Sequence, residues 1–134
     1  MKRRVLLLSG VAWATGIAAT AAEPGNSPIG LILIGASWCP FCKAAAQTLF
    51  AAAPPAQLPI LVASHDAKPI PPFEEFVDAR GHPIAAKYLK LPTLVFVHIP
   101  TQKVIAEIEG FKNPRSYLVQ VKSVLQQAQE AGYA

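Results

Sequence analysis

Apolar residues along this chain gather in short runs divided by polar or proline-rich stretches, and each run carries its own period. GLILIG, residues 30–35, is unbroken, the pattern of a strand buried on both faces. Lys43 to Ala53 is rich in Ala, Gln and Leu without Gly or Pro, which predicts a helix ended by Pro54-Pro55. PILVAS, residues 59–64, predicts the next strand, so residues 30–64 read as a βαβ unit with parallel strands and a right-handed crossover. In residues 65–82 the prolines 69, 71 and 72 break regular structure before a short turn of helix at Phe73 to Asp78. IAAKYLK after Pro83 predicts another short helix. LPTLVFVHI, residues 91–99, has strand composition, Pro100 to Lys103 is a turn, and VIAEIEG, residues 104–110, alternates as a half-exposed strand does. Asn113 as cap and Pro114 at the first helical position open a terminal helix with Tyr117, Leu118, Val121 and Leu125 on one face. The order β-α-β, then β-β-α, implies an α/β domain with a central mixed sheet and flanking helices.

The first 22 residues follow a different logic. Lys2, Arg3 and Arg4 precede an apolar run from Val5 to about Ala19, which closes on Ala19-Thr20-Ala21. That is the layout of a signal peptide, and cleavage after Ala21 or Ala22 would leave residues 23–134 as one domain. An uncleaved membrane anchor is the alternative, since Val5 to Ala22 approaches the length of a spanning helix. Of twelve Lys and Arg three lie in this leader, leaving nine against eight Asp and Glu, so the +4 of the whole sequence falls to about +1. The basic balance therefore describes targeting, and no nucleic-acid partner is implied. Export to the periplasm places the domain where disulfides form and persist.

The chain has two cysteines, Cys39 and Cys42, separated by Pro40 and Phe41 at the junction of the first strand and helix. They could be a staple, a metal clip or a redox reagent. A disulfide closing so small a loop contributes only about 2 kcal/mol on chain entropy, a weak reason for a staple. A closed zinc site needs four ligands, and His65, His82 and His98 have no close spacing to the cysteines. Two thiolates and one histidine would suit copper, so a copper-delivery or adapter protein is the rival reading. As a reagent the pair is well placed: a spacing of three puts the cysteines one helical turn apart, with Cys39 at the helix N-terminus, where unpaired N–H groups and the helix dipole favour negative charge. Cys39 would attack a substrate disulfide and Cys42 would release the mixed disulfide. Pro40 suits the first helical turn and offers no N–H, and Trp38 and Phe41 flank the cysteines as an apolar rim for a partner.

On these residues the chain resembles the thioredoxin-fold proteins. Trp38-Cys39-Pro40-Phe41-Cys42-Lys43 stands where that family has Trp-Cys-x-x-Cys, and Leu91-Pro92-Thr93 comes just before a strand. The resemblance spans about residues 29–131. It implies that Pro92 is a cis-proline lying against the disulfide, that Leu91, Pro92 and Thr93 with Gly110 border the substrate groove, and that no cofactor is needed beyond the redox-active disulfide. Glu23 to Pro28 is too short to supply the extra strand and helix with which the larger bacterial thioredoxins begin, so the domain resembles the smaller glutaredoxin-type core with an enlarged segment at residues 65–82. Where many thioredoxins carry a buried Asp in the strand before the motif, this one has Leu31, Ile32, Leu33 and Ile34. Trp38 and the leader resemble periplasmic members, in particular the small SoxS-type oxidoreductases of sulfur-oxidation systems. That implies exported partners with disulfides or modified cysteines, and a membrane thiol-electron transporter as the source of electrons.

Overall fold

A strand that is apolar at every position needs cover on both faces, and β1 (Ile29–Gly35) has it in the computed structural model, which describes residues 27–133. The leader reading lies outside the described residues. β1 is the middle strand of a five-stranded mixed sheet of order β3 (Val77–Asp78), β2 (Ile60–Ser64), β1, β4 (Thr93–His98), β5 (Lys103–Glu109). It runs parallel to β2 and antiparallel to β4, which pairs antiparallel with β5. Alternate residues of β1 point to opposite faces. Ile29, Leu31 and Leu33 join Leu94 and Phe96 beneath the two long helices, whereas Ile32 and Ile34 join Val95, Val97 and Ala63 beneath the segment from Ala79 to Tyr88.

Both long helices open as their sequences predict. α1 (Pro40–Ala56) is capped by Cys39 with Pro40 in its first turn, and α2 (Pro114–Glu130) by Asn113, whose side chain accepts the Ser116 N–H at 2.8 Å. Tyr117, Val121 and Ala128 are buried along the inner face of α2, with Leu125 packed against them.

Three expectations are corrected. α1 does not stop at Ala53 but runs through Pro54 and Pro55 to Ala56. Proline's fixed φ is compatible with helix, and the N–H groups it lacks would have bonded Phe50 and Ala51, which are exposed enough for water to serve their carbonyls. The helix ends instead at Gln57, in the left-handed region with φ 57°, whose N–H returns to Ala53 and Pro54. The second correction concerns residues 73–78, where the short turn of helix is replaced by extended chain ending in β3 (Val77–Asp78), which pairs parallel with Ala63 and Ser64. The open edge of β2 offers hydrogen bonds that the proline-broken segment cannot make with itself. Beyond β3 the predicted helix after Pro83 shrinks to a single 3₁₀ turn, Ala85–Lys87, following another at Ala79–Gly81. Buried Ala79 and Ala85 are small enough to let these turns lie flat on the sheet. Among the described residues no helix is long and apolar enough to cross a membrane.

Candidate functional site

The strand register gathers the singled-out residues at one end of the sheet. Ile34 pairs with Thr93 and Thr93 with Glu109, so Pro92 and Gly110 lie one step further, level with the end of β1 where the Cys39 turn begins. Gly110, with φ 81°, donates its N–H to the Pro92 carbonyl at 2.7 Å, and the Leu91–Pro92 peptide is cis. Thr93 is fully buried and its hydroxyl donates to the Lys90 carbonyl at 2.6 Å, which fixes the approach to Pro92. Leu91 is half-buried against the core.

Cys39 and Cys42 occupy unequal positions within one helical turn. Cys39 Sγ caps the helix by accepting the Cys42 N–H at 3.2 Å, and Cys39 is 5% exposed, whereas Cys42 is completely enclosed. Both thiols are free. Cys42 Sγ lies so close over Gly35 that a Cβ there would stand 2.9 Å from the sulfur and 3.2 Å from Ile70 Cδ1; only glycine leaves room for the inner cysteine. Around this nearly closed pair Trp38 is 69% and Phe41 58% exposed, and Pro40 is exposed beside them. Leu89, 78% exposed in the loop leading into β4, adds a further apolar side chain on the approach to Leu91.

Burial pushes the Cys42 thiol up, and its hydrogen bond with Cys39 adds to the effect, to about 12, so Cys42 holds its proton at neutral pH. Between its ordinary value near 9 and about 12 the native state binds more protons than the unfolded chain, so its contribution to stability is complete below about pH 9 and is lost as pH rises towards 12. The dithiol protein is therefore expected to lose more stability on going from about pH 8 to about pH 10.5 than a Cys42→Ala variant does, as urea denaturation under reductant would measure.

A carboxylate stands at the same end. Asp66, just past β2, accepts the Ser37 N–H at 3.2 Å, the Ser37 hydroxyl, and the Ser64 hydroxyl at 2.6 Å. Partial burial pushes its pKa up, but the hydrogen bonds from Ser37 and Ser64 outweigh this and bring it down to about 2. On the other side of the pair, Tyr117 is buried with its hydroxyl unpartnered among the described residues.

The histidines are engaged elsewhere. His65 Nε2 donates to the Tyr88 carbonyl at 2.9 Å, His82 Nδ1 accepts the N–H groups of Ile84 and Ala85, and His98 Nδ1 pairs with the Thr101 hydroxyl at 2.8 Å. Among the described residues no group of three His, Cys, Asp or Glu side chains is placed to hold a metal ion.

Sequence reasoning passed over Gly35, Ser37, Ser64, Asp66, Ile70 and Leu89. Only Asp66 left a trace in the sequence, as an acid two residues after an apolar strand.

No protein-family model matches the sequence, and no curated protein matches it. Solved structures do. The oxidized form of thioredoxin O2 from Arabidopsis thaliana is 19% identical, with a TM-score of 0.50 over 82% of this chain and 83% of that one. Oxidized mitochondrial thioredoxin 3 from Saccharomyces cerevisiae is 18% identical, with a TM-score of 0.51 over 80% of this chain and 89% of that one. At such identities the likeness shows the fold, which is thioredoxin-like.

Proposed function

We propose that the chain is an exported thiol-disulfide oxidoreductase that reduces protein disulfides or cysteine-sulfur adducts through Cys39 and Cys42. The observation that carries this reading is the division within one helical turn: an outer sulfur capping the helix, and an inner one enclosed behind it with its proton held. The Cys39 sulfur, as thiolate, attacks one sulfur of the substrate disulfide, the S–S bond breaks, and the departing sulfur leaves as a thiolate that takes up a proton. Cys42 then gives up its proton and attacks the Cys39 sulfur, releasing the second substrate thiol. The pair ends as a disulfide, having delivered two electrons, and a dithiol donor restores it.

A macromolecular substrate fits the surface better than an enclosed small molecule. A groove of about 620 Å³ is lined by Phe50, Phe73 and residues of β2 and β3, one of about 450 Å³ by Ile108 and Val124, and one of about 360 Å³ by Pro59 and Ile84; none of the three contains a cysteine. What surrounds the cysteines is instead exposed Trp38 and Phe41, apolar side chains on which a peptide can lie. The leader supports export to the periplasm, where a membrane thiol-electron transporter is the corresponding donor and oxidoreductases of the sulfur-oxidation type the corresponding subgroup.

The mature domain is tested by insulin reduction with dithiothreitol as electron source. Precipitation of the freed chains should start well before it does with dithiothreitol alone, and equal rates would remove the reading. Replacing His65, His82 and His98 together with Ala should leave this activity within about twofold, because each ring is hydrogen-bonded to groups other than the cysteines. Tight copper binding by the parent protein that disappears with one histidine would favour a copper carrier.

A further inference from the structure

We propose that Asp66 is a positioning residue for the cysteine pair, clasping the turn before Cys39 and holding there a negative charge that biases the pair towards giving up electrons. The inference deepens the oxidoreductase reading and rests on it.

The clasp joins two chain segments that the sequence separates. Ser37 lies two residues before Cys39, where β1 has ended and the chain turns into α1. Both its N–H and its hydroxyl donate to Asp66. The carboxylate also accepts from Ser64, whose own oxygen accepts the Lys68 N–H at 3.1 Å and so secures the turn that carries Asp66. Ser64 is completely buried, and the clasp is anchored at the end of β2, one strand away from the motif.

Neutral donors hold this charge without cancelling it. Among the described residues the ion pairs are Arg80 with Asp78 and Lys90 with Glu109, so Asp66 has no ion-pair partner within 4 Å. Arg80, whose field Asp66 shares, already has Nε and Nη2 on Asp78 at 2.9 and 2.7 Å. A fixed anion acts unequally on the two redox states: the disulfide has no thiol to ionise, whereas the reduced pair has two, and a nearby negative charge disfavours their ionisation, as it does at Cys42. Repulsion raises the free energy of the reduced form and leaves the oxidised form nearly unchanged, so electrons leave more readily. The same charge adds to the upward push on Cys42, as the smallest of its causes.

Charge and clasp can be separated by substitution. Asp66→Asn removes the charge and keeps an acceptor oxygen for Ser37, whereas Ser64→Ala removes one arm and keeps the charge. Each full-length protein would be equilibrated in reduced and oxidised glutathione, and the fraction oxidised read from Trp38 fluorescence and intact mass. Asp66→Asn is expected to shift the equilibrium by about three- to tenfold towards holding electrons, making the pair more oxidising. Ser64→Ala should lower the unfolding midpoint in urea yet keep the equilibrium within about twofold of the parent. An unchanged equilibrium in Asp66→Asn would make the clasp purely structural, and an equal shift in Ser64→Ala would assign the effect to geometry; either overturns the proposal while leaving the oxidoreductase reading intact. A parent protein that shows no reversible pair would overturn both.

Discussion

Cys39→Ser is expected to reduce the insulin-reducing activity of the protein to that of dithiothreitol alone. The outer sulfur is the only one with an opening to solvent, and it sits where the first turn of α1 presents its N–H groups. Serine keeps a helix cap at that position, so the fold should survive. A hydroxyl at neutral pH has no anionic fraction to attack a disulfide, and Cys42, enclosed and protonated, cannot take over. The measurement is initial precipitation rate against protein concentration, with the unfolding midpoint of the variant as control. Full activity in a folded Cys39→Ser protein would exclude the two-cysteine mechanism.

The second large effect comes from the inner cysteine. With Cys42→Ser or Cys42→Ala, attack by Cys39 proceeds but the mixed disulfide has no thiol within the chain to release it, since these are the chain's two cysteines. A covalent adduct should accumulate at up to one substrate per protein, visible by non-reducing electrophoresis and intact mass, and vanish with reductant. Alanine serves beside serine because a hydroxyl at a fully enclosed site costs about 1–3 kcal/mol if left without a partner, so a destabilised serine variant does not confound the result. The adduct should be absent from Cys39→Ser. The opposite pattern, adducts with Cys39→Ser and none with Cys42→Ala, would exchange the roles of the two sulfurs.

What could be read in advance depended on whether a local pattern carried the signal. The apolar runs gave four strands to within about two residues of their bounds, and Asn113-Pro114 placed the start of α2, because burial and capping leave marks within a few neighbouring positions. The edge strand Val77–Asp78 left none: two residues are too few for a period, and their pairing depends on where β2 leaves an open edge. Pro54 and Pro55 misled for a related reason, since whether a proline ends a helix depends on who serves the carbonyls it abandons, and here they face solvent. The site divides similarly. Trp38 through Cys42 forms one contiguous motif, whereas Leu91, Pro92, Thr93 and Gly110 gained their place from a family resemblance; the register then sets them at the same sheet end. Gly35, Ser37 and Asp66 act through distances of approach and hydrogen bonds across 29 residues of sequence, and no local pattern reports those.

The central claim, that Cys39 and Cys42 form one reversible electron-carrying pair poised to reduce, is tested most directly by titrating the protein in glutathione buffers and quantifying the disulfide by alkylation and intact mass. The account predicts a single two-electron transition, the same from the oxidised and the reduced direction, with a midpoint more reducing than the glutathione couple and no transition in Cys39→Ser or Cys42→Ala. A disulfide that persists in excess dithiothreitol, a pair that never forms one, or a midpoint more oxidising than glutathione would contradict it.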